Sequence, residues 1–257
     1  MLASIQFVKR IPIVGPVLQL LFKPISAFRQ RRAQREYRKR FAQPLENVFT
    51  EHFKENFWGN PESVSGDGST RAYTDNIRKA LPGLFESLNV HTILDAPCGD
   101  FNWFRLLPRQ PQQKYVGGDI VSELIDRNKQ FENENTKFVR LDVTRDPLPK
   151  ADLWLCRDLL FHLSYSDIWR ALNNFAKSEI TYLLTTSHPE CAANGDILSG
   201  DFRELNLQLE PFLFPEPKVE IDDWIEGYPV RKLCLWRRDD LADVLSTART
   251  FSTAGSV

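Results

Sequence analysis

Five short apolar segments recur at regular intervals from about residue 91 onward, and this spacing constrains the fold more than any other feature of the sequence. Short apolar strands that alternate with amphipathic helices are typical of a mostly parallel sheet covered on both faces. The predicted strands are His91–Asp95, Lys114–Ile120, Lys137–Val143, Ala151–Asp158 and Ile180–Ser187.

A helix is predicted between the fourth and fifth strands, over the segment SYSDIWRALNNFAK. Ser164 is placed to cap its first turn, with Asp167 three residues later in a capping-box arrangement. Ile168, Leu172 and Phe175 recur at helical spacing and form one apolar stripe.

Two further strand-like segments, PKVEIDDWIE and VRKLCLWRRDDL, close the pattern near the C-terminus. A turn region with Gly227 and Pro229 separates them and is too short for a crossover helix, so we expect them to pair antiparallel. The sequence therefore predicts a doubly wound α/β fold. Its mostly parallel seven-stranded sheet would carry an antiparallel C-terminal strand pair and a helical N-terminal extension.

Acidic residues stand at the ends of three successive predicted strands, namely Asp95, Asp119 and Asp142. A carboxylate at the end of the second strand can accept hydrogen bonds from both hydroxyls of a ribose. No G-x-G-x-x-G fingerprint for a pyrophosphate follows the first strand, which disfavours a dinucleotide dehydrogenase. The three acids together indicate a crevice for a nucleoside without a pyrophosphate.

The loop DAPCGDF after the first strand resembles the D-x-G-x-G-x-G nucleotide loop of class I S-adenosylmethionine-dependent methyltransferases. Asp95 stands at the acidic position, Cys98 at a position where that family often has cysteine, and Gly99 at the middle glycine. Pro97 and Phe101 replace the outer glycines. Because proline lacks an N–H, Gly99 is the position where the backbone can approach the methionine part of the donor closely.

The resemblance extends over about residues 60–238, through the segments S-G-x-G-S, D-x-P-C-G-D-x-N-W, R-D-x-L-x-H-L-S and RELNLQLEPFLFPEP, which are similar to those of a bacterial methyltransferase group. It implies S-adenosylmethionine as cofactor. It also implies a lid over the donor and residues near its ribose, adenine and methionine parts: Ser65, Gly68, Ser69, Thr74, Asp95, Pro97, Cys98, Gly99, Trp103, Asp119, Ile120, Asp142, Val143 and Arg157. Two of these roles have an alternative. Trp103 could instead be an aromatic residue of the core, and Arg157 could instead form an ion pair with a neighbouring acid.

Methyl transfer to an alcohol requires a base, and the candidate bases follow the fourth and fifth strands. They are Asp158, His162, His188 and Asp201. His162 lies four residues after Asp158, beside the expected position of the sulfonium, although a histidine in this context also fits a packed or capping residue. No N-P-P-Y or D-P-P-Y motif follows the fourth strand, so oxygen is the preferred acceptor atom.

The acceptor is expected to be a small molecule, a sugar or a glycan. The segment after the fifth strand carries Phe202, Phe212 and Phe214 beside polar side chains and three prolines. Such a segment suits a sugar-binding wall, but it also fits a loop that only covers the sheet.

The first 40 residues form a basic arm, with ten Lys/Arg against one acid, whereas the remaining residues contain 23 basic and 33 acidic side chains. The apolar run Ile11–Phe22 is too short to span a bilayer. The arm fits either an interfacial segment on anionic lipid or a helix packed on the body, and nucleic acid is the less favoured partner. We expect a cytoplasmic protein, either free or associated with the inner face of a membrane.

The expected organisation is an extension over residues 1–60, a methyltransferase domain over residues 61–245 and a flexible tail over residues 246–257. The four cysteines and four histidines are scattered, so we expect reduced thiols and no metal. Two alternatives remain: a non-catalytic methyltransferase-fold scaffold, and a membrane-peripheral adaptor that acts through the arm.

Overall fold

The computed structural model describes residues 32–254, which belong to two compact units, Met1–Gln43 and Pro44–Val257. In the first unit, residues 32–41 are helical. The apolar run Ile11–Phe22 and most of the basic arm lie outside the described residues. Within residues 32–254, no helix is both long and apolar enough to cross a membrane.

A seven-stranded sheet forms the centre of the second unit, with the strand order β3-β2-β1-β4-β5-β7-β6. Strands β1 to β5 pair in parallel, while β7 pairs antiparallel with both β5 and β6. The strands are β1 (Thr92–Asp95), β2 (Lys114–Asp119), β3 (Thr136–Arg140), β4 (Leu153–Cys156), β5 (Tyr182–Ser187), β6 (Val219–Asp222) and β7 (Lys232–Arg237). The predicted doubly wound fold and its antiparallel C-terminal pair are confirmed.

Five α-helices accompany the sheet in the described part of this unit. They are α1 (Leu45–Glu55), α2 (Asp75–Ser87), α3 (Ser122–Asn128), α4 (Tyr165–Lys177) and α5 (Ala242–Ala254). Helix α1 belongs to the second unit, although the sequence places it in the N-terminal extension.

Both faces of the sheet are buried, which explains why its central strands are apolar throughout. In β4, Trp154 and Cys156 pack on the face covered by α4 and α5, whereas Leu153 and Leu155 pack on the opposite face with α2. Alternation of side chains along a strand produces this division.

Helix α4 begins as the sequence predicts. The Ser164 hydroxyl accepts a hydrogen bond from the Asp167 backbone N–H at 3.2 Å. The stripe of Ile168, Leu172 and Phe175 is fully buried, with the Phe175 ring 6.0 Å from that of Trp154. The cap and the apolar stripe therefore fix where the helix starts and which face it buries.

The connection from β1 to β2 contains only a 3₁₀ turn, Phe104–Leu106, in place of an α-helix. Phe101 has a φ of +57°, which is unusual for a bulky residue, and its ring lies 5.0 Å from those of Tyr115 and Phe138. A glycine at this position commonly permits close packing of a helix on the strand. Here the Phe101 side chain fills that space within an aromatic cluster.

The tail also differs from the expectation, because α5 continues the helix through residues 246–254. Leu245 and Ala248 are buried in the same apolar cluster as residues of α4. Burial of these two side chains against the neighbouring helix stabilises the helical conformation at the start of this segment.

The capping contact predicts a measurable loss of stability. Ser164→Ala should lower the free energy of unfolding by about 1 kcal/mol, because the backbone N–H of Asp167 loses its acceptor. Ser122→Ala is the matched control, since Ser122 is exposed at the start of α3 and helps cap no helix. Urea unfolding of both variants tests the prediction, and equal losses would show that the cap contributes nothing.

Candidate functional site

A cavity of about 410 Å³ lies at the carboxyl ends of β1 to β4, within the size range of small-ligand sites. Of the 18 residues predicted to bind the donor or to act as the base, all except Thr74 and His188 line it. Residues that sequence reasoning did not assign also line it, chiefly Leu45, Phe49, Phe53, Phe57, Trp58, Tyr73, Leu124, Tyr228 and Arg231.

The loop after β1 is held against the neighbouring strand by its backbone. The Cys98 N–H donates to the Gly118 carbonyl at 2.9 Å, and the Asn128 amide donates to the Gly99 carbonyl at 2.7 Å. Gly99 has a φ of +54°, and a Cβ there would collide with the Ser65 hydroxyl. Both facts require glycine at this position. Pro97 lines the cavity without offering an N–H.

The Asp119 carboxylate is fixed at the end of β2 by two backbone donors. The Gly99 N–H binds Oδ2 at 3.1 Å, and the Val121 N–H binds Oδ1 at 3.0 Å. Burial raises the pKa of Asp119 to about 6, although these hydrogen bonds lower it. Since a carboxylate has about four acceptor positions, the group retains acceptor capacity toward the cavity.

Asp95 lies deeper, at the end of β1. Its Oδ2 accepts a hydrogen bond from the Tyr115 hydroxyl at 2.7 Å. Burial raises the pKa of Asp95 to about 7, which the hydrogen bond from Tyr115 partly offsets. This carboxyl group also lines the cavity.

Asp142 follows β3 and is turned toward its own loop. Its Oδ1 accepts from the Thr144 N–H at 2.9 Å and from the Thr144 hydroxyl at 2.6 Å. Ile120 and Val143, each next to one of the acids, line the same end of the cavity and add apolar surface. The arrangement suits a flat heterocycle with one polar edge.

Residues 65–69 form a loop over the cavity, and other segments hold this loop in place. The Ser65 hydroxyl accepts from the Asp100 N–H at 3.2 Å, and the Asn102 amide donates to the Ser69 carbonyl at 3.0 Å. Thr74 does not reach the cavity, because its hydroxyl donates to the Thr70 carbonyl at 2.7 Å within the preceding turn.

Arg157 is the centre of a buried ion network at the end of β4. Its guanidinium binds the Asp223 carboxylate through Nε and Nη2, both at 2.8 Å, and Nη2 also donates to the Gly68 carbonyl at 2.7 Å. Its guanidinium carbon lies 5.3 Å from the centre of the Trp103 ring. Arg157 therefore pairs with neighbouring acids. Trp103 lines the cavity and packs against the Arg157 guanidinium.

Asp158 completes this network. Its Oδ2 lies 3.2 Å from Arg157 Nη1 and 3.1 Å from Arg231 Nη2. Burial alone would raise the pKa of Asp158, but the two arginines lower it below its usual value. The residue has a φ of +55°, a conformation that costs on the order of 1 kcal/mol and is common at functional sites.

His162 lines the cavity from the 3₁₀ turn that follows β4. Its Nδ1 donates to the Asp201 carbonyl at 2.8 Å, so Nε2 carries the lone pair. Burial lowers the pKa of His162, which keeps the ring neutral at pH 7. The backbone carbonyl of Asp201 thus orients His162, and Asp201 also lines the cavity.

His188 is placed differently. Its ring is buried outside the cavity lining, with Nδ1 accepting from the Leu205 N–H at 3.3 Å. Burial lowers the pKa of His188 to about 4. Of the two histidines, only His162 lines the cavity.

The residues missed from the sequence come mainly from α1 and from the β6–β7 connection. Phe49 and Phe53 on α1 and Phe57 just after it recur every four residues, a helical spacing that could have indicated that this face of α1 is directed at the site. Arg231 carried no such signal, because its pairing with Asp158 depends on the antiparallel return of β7.

Within residues 32–254, no group of three or more histidine, cysteine, aspartate or glutamate side chains could hold a metal ion.

Two solved structures of S-adenosylmethionine-dependent methyltransferases are similar in fold to this chain. Magnesium protoporphyrin IX methyltransferase from Synechocystis PCC 6803, with bound SAH, matches with a TM-score of 0.53 and 11% identity, over 73% of this chain and 93% of that chain. Human N-acetylserotonin methyltransferase in complex with SAM matches with a TM-score of 0.52 and 17% identity, over 78% of this chain and 61% of that chain.

No protein-family model and no curated protein matches the sequence. At these identities the structural matches establish the fold, which is that of the class I methyltransferases.

The buried network predicts a large effect of one substitution. Asp223→Ala should lower the free energy of unfolding by about 3 to 5 kcal/mol, because it leaves Arg157 buried without its bidentate partner. Asp222→Ala is the adjacent control, since Asp222 is exposed, and it should change stability by less than about 0.5 kcal/mol. Urea denaturation measures the free energy of unfolding of both variants. Similar losses of stability in the two would contradict the prediction.

Proposed function

We propose that this protein is an S-adenosylmethionine-dependent methyltransferase. The observation that carries the proposal is the Asp119 carboxylate, which two backbone N–H groups orient at the end of β2 in a cavity of suitable size. Its remaining acceptor positions suit the two hydroxyls of a ribose.

The other donor contacts follow from the positions of the cavity residues. Ile120 and Val143 would enclose the adenine, and Asp142 would lie near its polar edge. Gly99 lets the backbone approach the methionine part, where a side chain would collide with Ser65. Because Arg157 already binds Asp223 and the Gly68 carbonyl, its proposed role is to fix the loop over the donor.

The donor supplies a methyl group on a sulfonium, which passes to the acceptor by in-line displacement. Catalysis then depends on positioning and on exclusion of water more than on covalent help from the protein. Residues 65–69 cover the cavity and would exclude water. The aromatic side chains of Phe49 and Phe53 on α1 also line the cavity and would add to this exclusion.

The proposed acceptor atom is the oxygen of a hydroxyl group on a small molecule, a sugar or a glycan. His162 is the proposed base, because Nε2 has the lone pair and the ring is neutral. Asp158 is a weaker base, since two arginines stabilise its ionised form. His188 has no role in this proposal because it lies outside the cavity lining.

The basic arm remains a separate proposal, in which residues 1–40 hold the protein to an anionic membrane surface. Its support is the concentration of charge in the sequence. Deletion of the arm should abolish sedimentation with anionic vesicles without changing donor affinity.

Calorimetric titration with S-adenosylmethionine tests the central proposal. The unmodified protein should bind the donor, and Asp119→Ala should weaken binding at least tenfold because the ribose hydroxyls lose their acceptor. Asp126→Ala is the matched control, since Asp126 is exposed on α3, and it should bind normally.

A parallel titration with NAD should give no signal. Failure of the unmodified protein to bind S-adenosylmethionine would refute the proposal. A non-catalytic scaffold would bind the donor normally but would form no product with any acceptor.

Donor affinity should also depend on pH. Because the pKa of Asp119 is raised to about 6, the carboxylate is ionised above pH 6 and protonated below it. Affinity should therefore fall by up to tenfold per pH unit below pH 6. Asp119→Asn should remove this part of the dependence, and an unchanged slope in that variant would assign the titration to another group such as Asp95.

A further inference from the structure

Four aromatic rings in the cavity lining lie close to one another, those of Trp58, Phe161, His162 and Phe202. In the sequence, Trp58 precedes the turn that carries His162 and Phe202 follows it. The centre of each of these two rings lies 5.9 Å from the centre of the imidazole ring. Phe161 lies 4.5 Å from the imidazole and 5.5 Å from Phe202. We define these four side chains as the aromatic chamber.

Phe202 is unusual within the chamber because it is 50% exposed. A large apolar side chain at a cavity opening gains free energy when a ligand covers it. Its backbone N–H donates to the Asp201 carboxylate at 2.8 Å, and its ring contacts that of Phe161. The exposed part of the ring offers a surface against which another ring can pack.

The buried polar groups next to the chamber are engaged by protein partners, whereas the Asp201 carboxylate, which lines the cavity, accepts the Phe202 N–H and keeps further acceptor positions. Asp158 binds Arg157, Arg231 and the Thr186 hydroxyl, and the Asp201 carbonyl binds His162. A sugar ring carries several hydroxyls, and each one buried without a partner costs free energy. The chamber offers one suitable acceptor, His162 Nε2, which matches a ligand with one reactive hydroxyl.

The geometry points to an aromatic ring with a phenolic hydroxyl as the methyl acceptor, held by Trp58 and Phe202 with its hydroxyl directed at His162. This inference rests on the proposed methyltransferase function and specifies its substrate class. Offset-stacked and edge-to-face ring pairs bind more tightly than apolar area alone predicts.

The chemistry of the base agrees with this class. The phenol proton passes to His162 Nε2, the phenol oxygen forms a bond to the methyl carbon, and the carbon–sulfur bond of the sulfonium breaks. The products are an aryl methyl ether, S-adenosylhomocysteine and an imidazolium that releases its proton to water. A weakly basic imidazole suits a phenol, whose pKa is about 10, better than a less acidic aliphatic alcohol.

Three probes separate the alternatives: 2-naphthol, its saturated counterpart decahydro-2-naphthol, and octyl β-D-glucoside. Calorimetry measures their binding to the full chain, both without donor and with S-adenosylhomocysteine. Mass spectrometry measures methyl ether formation with S-adenosylmethionine. We expect 2-naphthol to bind several-fold to tenfold more tightly than decahydro-2-naphthol and to be the probe that is methylated.

Variants locate the contacts. Phe202→Leu and Trp58→Leu should each weaken 2-naphthol binding about threefold to tenfold while leaving donor affinity unchanged. Trp224→Leu is the matched control, because Trp224 is exposed and lies outside the cavity lining. His162→Gln should retain 2-naphthol binding but slow its methylation by about 10²-fold or more.

The inference would be overturned if the glucoside bound more tightly or were methylated faster than 2-naphthol, or if all three probes bound equally. It would also be overturned if Phe202→Leu behaved like Trp224→Leu. Donor binding without 2-naphthol binding would overturn it as well, while leaving the proposed function intact. Failure of donor binding with 2-naphthol still bound at Phe202 would refute the proposed function and support the assigned ring site.

Discussion

The pairing of Arg157 with Asp223 and Asp158 is the interaction on which the functional site depends. It joins residues that follow β4 and β6, while Arg231, just before β7, pairs with the same acids. Arg157 also binds the Gly68 carbonyl, which fixes the loop above the cavity. Burying these charges is costly, so each ion requires its partners in place. The loop over the cavity is consequently positioned by the completed sheet.

This dependence explains why the two ends of the cavity have different chemistry. At the proposed donor end, which contains Asp95 and Asp119, burial raises the pKa values of both carboxyl groups, and Asp119 retains acceptor capacity. At the proposed acceptor end, Arg157 and Arg231 balance the negative charge of the ionised Asp158. The aromatic rings there surround His162, whose imidazole is neutral. A sulfonium placed between these ends would lie near negative charge, while its methyl group would face an apolar chamber.

The sheet and the donor end could be predicted from the sequence because their signals are local. Asp95 and Asp119 end apolar strands, and the carboxyl ends of parallel strands necessarily meet at one edge. The acceptor end could not be predicted in the same way. Arg231 reaches Asp158 only through the antiparallel return of β7, and His162 and His188 differ only in tertiary placement. Phe101 also departs from the glycine pattern of the loop, because its ring packs into an aromatic cluster with Tyr115 and Phe138.

A crystal structure of the protein with S-adenosylhomocysteine would show the donor contacts themselves. We expect both ribose hydroxyls to lie within about 3 Å of the Asp119 carboxylate, with the adenine between Ile120 and Val143 and the sulfur directed toward His162. A nucleoside bound elsewhere, or bound in the cavity without contact to Asp119, would contradict this expectation.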